Sequence, residues 1–427
     1  MIDVIIIGCG AAGLMAAITA KKSDKNLNVT ILEINSSPGK KILKTGNGKC
    51  NLTNLDLSSD KYYSYSDKKD DFLNTLFNEF DEKDTLEFFE SIGVCTENKD
   101  NYVYPKAMQA GVVVNALFSE ALLLGVKCNF NEDVKSITKN NDNGNDKFVI
   151  TTGNNSYFAD KLLISTGTKA GLSKNEIHNF EINDYIKKNH KFYDLVPSLC
   201  GLNINKNGNE EFLKKVKGVR TKAKLIIVIN NKKIDFTDNR NTGELQLTDY
   251  GLSGIVVFQI SSVVAKHIKS EKVNVNIDFL PDLLIEEVLM SIKKFDYIEK
   301  RNITDILSAF LNVNLSMALI SLYGKRINKN ISVNSKNLGF GELEKIILFV
   351  KNVSLNIHSL NNYDKAQVMK GGIDIESIGK NMESKNEKNL FFAGEIIDID
   401  GICGGYNLQF AWTSGYVAGR NIADDKD

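Results

Sequence analysis

The sequence predicts an α/β fold, a parallel sheet flanked by helices and interrupted by a β-rich segment and a small helical one. Three observations predict it. Residues 4–7 form an unbroken apolar run that meets Gly8-Cys9-Gly10-Ala11-Ala12-Gly13, and a second such run ends in Glu33, twenty residues after Gly13. Apolar continuity marks a strand buried on both faces, and glycines at this spacing mark the turn from that strand into a helix. Beyond Pro197 the texture changes, first to β-branched runs and then, from Pro281, to helical periodicity.

Each part of the first turn has a physical reason. Gly8 permits the tight turn, Gly10 lets the backbone approach a pyrophosphate, and Gly13 lets the helix pack close to the strand. Ala11 and Ala12 open that helix, whose unpaired N–H groups and partial positive charge face the phosphates, so no lysine is needed. Glu33 closes strand 28–34 with a carboxylate placed to accept from an adenosine ribose, and an acid there disfavours a 2′-phosphate. A plain strand–turn–helix packed with small residues explains the glycines but not the spaced acid. A secretory signal fails, because Asp3 opens the run and no basic residue precedes it.

Segment 38–54 mixes glycines, lysines and amides. It offers backbone N–H groups and cations to a phosphate or an electron-rich ring, a solvated loop being the bland alternative. Phe72, Leu73, Leu76, Phe77 and Phe80, then Leu86, Phe88, Phe89 and Ile92, predict two core-facing helices, and residues 112–124 a third. Residues 127–137 and 147–152 predict strands around a polar loop at 139–146. A short strand at 161–165 leads into the turn Thr166-Gly167-Thr168, where ligands gather in parallel sheets.

After Pro197, residues 223–229 read as a strand, and Val273, Val275, Ile277 and Phe279 alternate with polar residues. Ile303, Ile306, Leu307, Phe310 and Leu311 line one helical face, and Leu315, Ala318, Leu319 and Leu322 the next. Leu343, Ile346, Ile347 and Val350 make another stripe before a returning strand at 353–357. These stripes are core. Near the C-terminus an apolar strand runs into Gly394-Glu395, placing a carboxylate where it meets a ribityl hydroxyl. Gly404 and Gly405 then open a helix at 406–421, whose first N–H groups face the electron-rich pyrimidine edge of a reduced flavin. This pattern suits flavin adenine dinucleotide (FAD) more than NAD. No second strand–glycine–helix unit follows, so NAD(P)H has at most a transient stacking site.

With 427 residues and 42% hydrophobic content the chain can bury a large core. Lys+Arg and Asp+Glu are both 53, which recommends neither nucleic acid nor an anionic membrane as a partner. No later apolar run approaches membrane-spanning length, and six scattered cysteines form no C-x-x-C and no metal-ligand cluster. These features predict a reduced, cytoplasmic protein. Cys95, Cys128, Cys200 and Cys403 read as packing residues, Cys9 and Cys50 as members of the glycine-rich loops. Nothing in the sequence sets an oligomeric state.

Four segments together carry a resemblance. They are Gly8 to Gly13, Gly46-Asn47-Gly48-Lys49-Cys50-Asn51-Leu52-Thr53-Asn54, Gly243-Glu244-Leu245-Gln246-Leu247-Thr248-Asp249-Tyr250-Gly251-Leu252-Ser253-Gly254, and Ala393-Gly394-Glu395 through Gly404-Gly405-Tyr406-Asn407-Leu408-Gln409. The chain resembles, from end to end, the BaiN-type flavoproteins, also described as aminoacetone-oxidase-like FAD-binding enzymes. The resemblance implies a glutathione-reductase-like FAD-binding Rossmann domain, discontinuous over 1–195 and 362–427. It further implies an inserted β-barrel-like domain (196–280 and 331–361) and a small inserted helical domain (281–330). Non-covalent FAD contacts are implied at Gly8, Gly10, Ala11, Ala12, Gly13, Glu33, Lys41, Thr45, Gly46, Asn47, Gly48, Lys49, Cys50, Asn51, Val134, Thr166, Gly167, Gly394, Glu395, Gly405, Tyr406, Asn407 and Leu408.

Some positions depart from the family pattern. Lys49 stands for a usual arginine, Thr168 for a glycine, Ile255 for a proline, and Asp249 and Met369 for a histidine and a threonine on the substrate side. The implied function is an FAD-dependent oxidoreductase moving a hydride between flavin N5 and a small organic substrate, with NAD(P)H as a transient donor. Reduction of an activated C=C bond, oxidation of an amine or aminoketone by O2, tRNA modification and non-catalytic flavin sensing all stay open. Tyr406, beside the glycine pair, and His190 are the catalytic candidates; packing explains either equally well.

Overall fold

The computed structural model describes residues 3–142, 145–153, 155–172, 182–234, 236, 240–329, 331–336 and 339–424. The polar tip at Asn143-Gly144 and the boundary residue Asn330 lie outside them. The chain divides into two compact units, Met1–Val196 with Val368–Asp427, and Pro197–Gln367.

The first unit is built on five parallel strands in the order Leu390–Phe392, Lys161–Ile164, Asp3–Ile7, Asn28–Glu33 and Lys127–Phe130. The apolar run at the start of the chain forms the central strand, buried from Val4 to Ile7. Helix Ala11–Ser23 packs along the last helix, Tyr406–Ala423, through small residues. Gly415 and Gly419 lie so close that a Cβ would stand 2.5 Å from Ala12 O and 2.4 Å from Ala16 O. The two helices therefore run parallel, with the last one starting about 12 Å ahead at a rise of about 1.5 Å per residue.

The two predicted helices of segment 72–92 are Lys69–Phe77 and Glu82–Ser91. The second is capped by Asp81, whose carboxylate accepts from the Lys83 and Asp84 N–H groups. Its core contacts come from Phe89 and Thr85, while Leu86 and Phe88 are half-buried. The third helix runs Ala110–Leu123.

The predicted strand 127–137 is two strands. Lys127–Phe130 closes the parallel sheet, and Val134–Asp142 belongs to a separate antiparallel sheet with Asn145–Thr152 and Ser156–Ala159. The break falls at Asn131, which adopts φ +60°, a value asparagine tolerates better than most side chains. Residues 139–142 and 145–146, read as loop, are paired strand, because cross-strand hydrogen bonds continue the ladder through Asp142 and Asn145.

In the second unit, strands Arg220–Ile229, Thr242–Leu247, Gly251–Ser253, Leu202–Ile204, Val353–Leu360 and Val273–Asp278 pair antiparallel in that order. The last pairs with the first, Leu225 opposite Ile277, so six strands close into a barrel. Alternate residues of Val273–Asp278 are buried, as the alternation predicts. Helices Ile255–His267, Ile285–Lys293, Ile303–Ser308, Val313–Arg326 and Phe340–Val350 belong to this unit, and the predicted stripes bury Ile303, Ile306, Leu307, Leu315, Leu319, Leu343 and Ile346.

Candidate functional site

The glycine-rich turn is held by steric necessity. A Cβ on Gly8, where φ is +107°, would stand 2.6 Å from Ser165 O, and one on Gly13 would stand 2.0 Å from Gly8 O. Gly10 differs: its backbone is extended and nothing lies within 4 Å of the Cβ position. It caps helix Ala11–Ser23, so Ala11 and Ala12 form the first turn at the electropositive helix end. Glu33, 7% exposed, binds this turn from the second strand. Its Oε2 accepts the Cys9 N–H at 2.7 Å, and its Oε1 accepts the Asn35 N–H at 2.9 Å. Val134 lies nearby in sequence order, two residues after Glu132, whose N–H donates to Glu33 O.

The segment after Gly39 forms the short helix Lys40–Lys44 and a tight turn in which Gly46, Asn47, Gly48 and Cys50 all have positive φ. Thr45 Oγ1 donates to Ile42 O, Lys49 is exposed, and burial pushes the Cys50 thiol up to about 12. Asn51 is 8% exposed, yet its Oδ1 has no hydrogen-bond partner among the described residues. A buried acceptor without a donor costs stability unless a ligand supplies one. Lys41 reaches Glu395 and pairs with its Oε2. Glu395 Oε1 accepts from Thr168 Oγ1 at 2.6 Å and from the Met369 N–H at 3.0 Å. Thr166 precedes Gly167, whose Cβ position lies 4.0 Å from Glu395 Oε2. The fold thus brings Lys41, Gly167 and Glu395 together.

At the last helix Gly405 has φ +96° and packs on Thr53, 2.6 Å from the Cβ position. The Asn407 amide clamps Gly401 by two 2.8 Å hydrogen bonds, to its N–H and its carbonyl. Gly394 donates its N–H to Ser414 Oγ at 3.0 Å, and Leu408 is half-buried. Tyr406 is 4% exposed and donates its hydroxyl to Asp56 O at 3.3 Å. The His190 ring nitrogens meet Ile186 O and Ser384 Oγ, with Phe392 edge-on, so His190 sits in a buried network. None of the six cysteines is in a disulfide; Cys95 is exposed where packing was expected, since it follows the end of helix Glu82–Ser91 into an edge strand.

The donor set fits an extended dinucleotide: one helix end for anionic groups, an acid at the second strand, and another helix end displaced along the same direction. Sequence reasoning missed a buried cluster behind this site, Lys370, Asp398 and Asp400, with Lys370 2% exposed. Its signal was a lysine within the otherwise apolar Val368–Ile373 and an Asp-x-Asp in the loop before Gly404. Among the described residues no helix is long and apolar enough to cross a membrane.

A family model for the HI0933-like protein Rossmann domain matches residues 2–421. The chain is 34% identical over 425 residues to a 3-dehydro-bile acid delta(4,6)-reductase of Clostridium scindens, covering 98% of both proteins. It is 27% identical over 426 residues to a ribosomal RNA dihydrouridine synthase of Escherichia coli, and 26% over 423 residues to that of Haemophilus influenzae, again covering 98% of each. A solved 3-ketosteroid delta1-dehydrogenase of Sterolibacterium denitrificans overlays with a TM-score of 0.48 at 13% identity, covering 99% of both chains. The full-length family match and the 34% identical relative lead to one conclusion: the chain belongs to the HI0933-like Rossmann family of BaiN-like flavin oxidoreductases.

Proposed function

We propose that this protein is a cytoplasmic, FAD-dependent reductase of a carbon–carbon double bond conjugated to a carbonyl group in a small organic molecule, with NAD(P)H as transient electron donor. The observation that carries the choice is shared chemistry in the relatives' names. One is named a 3-dehydro-bile acid delta(4,6)-reductase and the other a ribosomal RNA dihydrouridine synthase, and both names denote hydrogen added to a double bond. In the domain reading we favour, 1–195 and 362–427 form a glutathione-reductase-like FAD domain, 196–280 with 331–361 its barrel insertion and 281–330 a helical insertion.

When bound, FAD supplies two-electron hydride chemistry at its N5 position. The chain's own residues bind and orient. Gly10 and the N-terminus of Ala11–Ser23 would receive the pyrophosphate, while Glu33 fixes the turn through the Cys9 N–H and would accept from the adenosine ribose. Asn51, Gly46 and Lys41 would hold the middle of the cofactor, and Glu395, fixed by Lys41, Thr168 and the Met369 N–H, would meet its ribityl chain. Gly405, Asn407 and the positive start of Tyr406–Ala423 would hold the pyrimidine edge of the flavin.

Anaerobic mixing of the purified yellow protein with NADH and NADPH tests this. Rapid bleaching by either, followed by recolouring on addition of a 3-oxo-4-ene steroid, supports the reductase. Bleaching by an amine alone points to an oxidase, and no bleaching by any small donor to a flavin sensor. The two relatives that act on ribosomal RNA support a second reading, RNA modification, which the balanced charge disfavours. Retention of ribosomal RNA at moderate salt would favour it.

A further inference from the structure

The chain is neutral as a whole but not in its parts. Residues 197–367 hold 24 Lys+Arg against 17 Asp+Glu, so the barrel-containing unit carries an excess of seven positive charges that the first unit offsets. Such a field draws small anions toward the second unit. A recess of about 490 Å³ in this unit is built to receive one: its lining residues are asparagines, Ser354, Lys272 and Arg326, with no carboxylate and no apolar side chain among them. Val273, Val275 and Ile277 are buried, as are Val353, Leu355 and Ile357, and the alternation leaves Asn274, Ser354 and Asn356 on the other face of the two paired strands.

Asparagine is depleted in strands, and here its amides are held in place. Asn356 Nδ2 donates to Asn274 Oδ1 at 2.9 Å, and the Asn274 Nδ2 group makes no hydrogen bond among the described residues. Asn205 Oδ1 accepts the Asn207 N–H at 3.0 Å, which likewise leaves its Nδ2 uncommitted, and Asn209 Nδ2 donates to Asn205 O at 3.0 Å, which leaves its Oδ1 as an acceptor. Arg326, at the end of helix Val313–Arg326, is anchored twice: its Nη2 donates to Ser354 O and its guanidinium carbon lies 5.4 Å from the Phe349 ring centroid. Neither Arg326 nor Lys272 makes an ion pair among the described residues. Glu271, the acid beside Lys272, is taken by His267 Nδ1 and by Asn230 Nδ2. The recess therefore presents fixed donors without compensating negative charge. A carboxylate offers two oxygens, which one guanidinium fork already satisfies; a phosphoryl group offers three, enough for the guanidinium, the ammonium and an amide together.

We propose that this recess is a binding site for a phosphate ester of a small polyhydroxy molecule, its phosphoryl group shared by Arg326 and Lys272 and its hydroxyl groups met by the amides of Asn205, Asn209 and Asn274. Every one of these residues belongs to the second unit, so the site is separate from the flavin reading and does not depend on it.

The test is calorimetric titration of the full chain as purified with ribose 5-phosphate, a probe that carries both chemical features. Saturable binding with a Kd of about 1 mM or tighter is expected. Arg326→Gln and Lys272→Gln should each weaken it by about tenfold, the usual effect of losing one charge-assisted hydrogen bond, and should leave the absorbance spectrum of the protein unchanged. Lys272→Gln decides the matter if Arg326→Gln does not fold, because the Lys272 side chain makes no hydrogen bond among the described residues. Ribose, which lacks the anion, and gluconate, which replaces phosphate by carboxylate, should both bind at least about tenfold more weakly. Absence of saturable binding, affinity unchanged in both variants, or gluconate bound as tightly as the phosphate ester overturns the proposal. So does binding of an RNA oligonucleotide without binding of ribose 5-phosphate, which would make the recess part of a nucleic-acid face instead.

Discussion

Gly415 lies against Ala12 so closely that a single added carbon would stand 2.5 Å from the Ala12 carbonyl oxygen. Four residues on, Gly419 repeats the contact with Ala16. This small-residue seam joins the helix after the first strand to the last helix of the chain and sets how far one helix end projects beyond the other.

Gly415→Val should therefore destabilise the first unit by about 3 kcal/mol, the upper end of the usual cost of overpacking, since backbone atoms cannot give way. A lowered melting temperature, together with flavin loss, would show it. An unchanged melt would mean the seam is not as tight as described.

Gly10→Ala separates folding from binding. The Cβ position is open and the backbone extended, so stability of the flavin-free chain should change by less than about 0.5 kcal/mol. FAD affinity should fall about tenfold or more, because the methyl group stands where the backbone approaches phosphate. Calorimetry on both states checks the two halves independently.

The Asp398 carboxyl predicts a sign for acid stability. Burial raises it in the folded chain to about 6, against about 3.9 in an unfolded one, so the folded state holds a proton that the unfolded state has released. The contribution is fully present below about pH 4 and is lost as pH rises through about 6, by an order of magnitude of 3 kcal/mol. Denaturant melts of wild type and Asp398→Asn should converge at low pH, with the variant ahead at pH 7; parallel profiles would count against the assignment.

Gln409, fully buried, accepts from Thr53 Oγ1 at 2.6 Å and Thr85 Oγ1 at 3.0 Å, and donates to Asp81 O and Thr413 Oγ1 at 3.0 Å each. Gln409→Leu removes four hydrogen bonds and strands Thr53 Oγ1, while Thr85, Thr413 and Asp81 O keep other partners, and should cost about 1–3 kcal/mol, read as a lowered melting temperature and faster proteolysis. A variant as stable as the parent would show that the network relaxes without it.

Much of this architecture was legible because local chemistry dictates it. Gly8 and Gly13 can be nothing larger, and Glu33 follows at the spacing of one strand–helix–strand unit. The break at Asn131 was not legible: residues 127–137 read as one strand segment, yet they serve two sheets. The barrel was legible through the family resemblance alone, because the closing pair of Leu225 with Ile277 leaves no mark in either neighbourhood. Lys370 was overlooked because a lone lysine ordinarily faces water; only the folded chain brings Asp400 to it.

The first unit is assembled from two stretches of chain separated by residues 197–367. During synthesis the nascent chain must therefore emit the entire barrel-containing unit before strand Leu390–Phe392 and helix Tyr406–Ala423 leave the ribosome. Until then Gly13 and its neighbours form half of a nest whose other wall has not been translated. Prematurely terminated products would expose the apolar flank of Lys161–Ile164, where Leu390–Phe392 belongs, and would be fit for degradation rather than for cofactor loading.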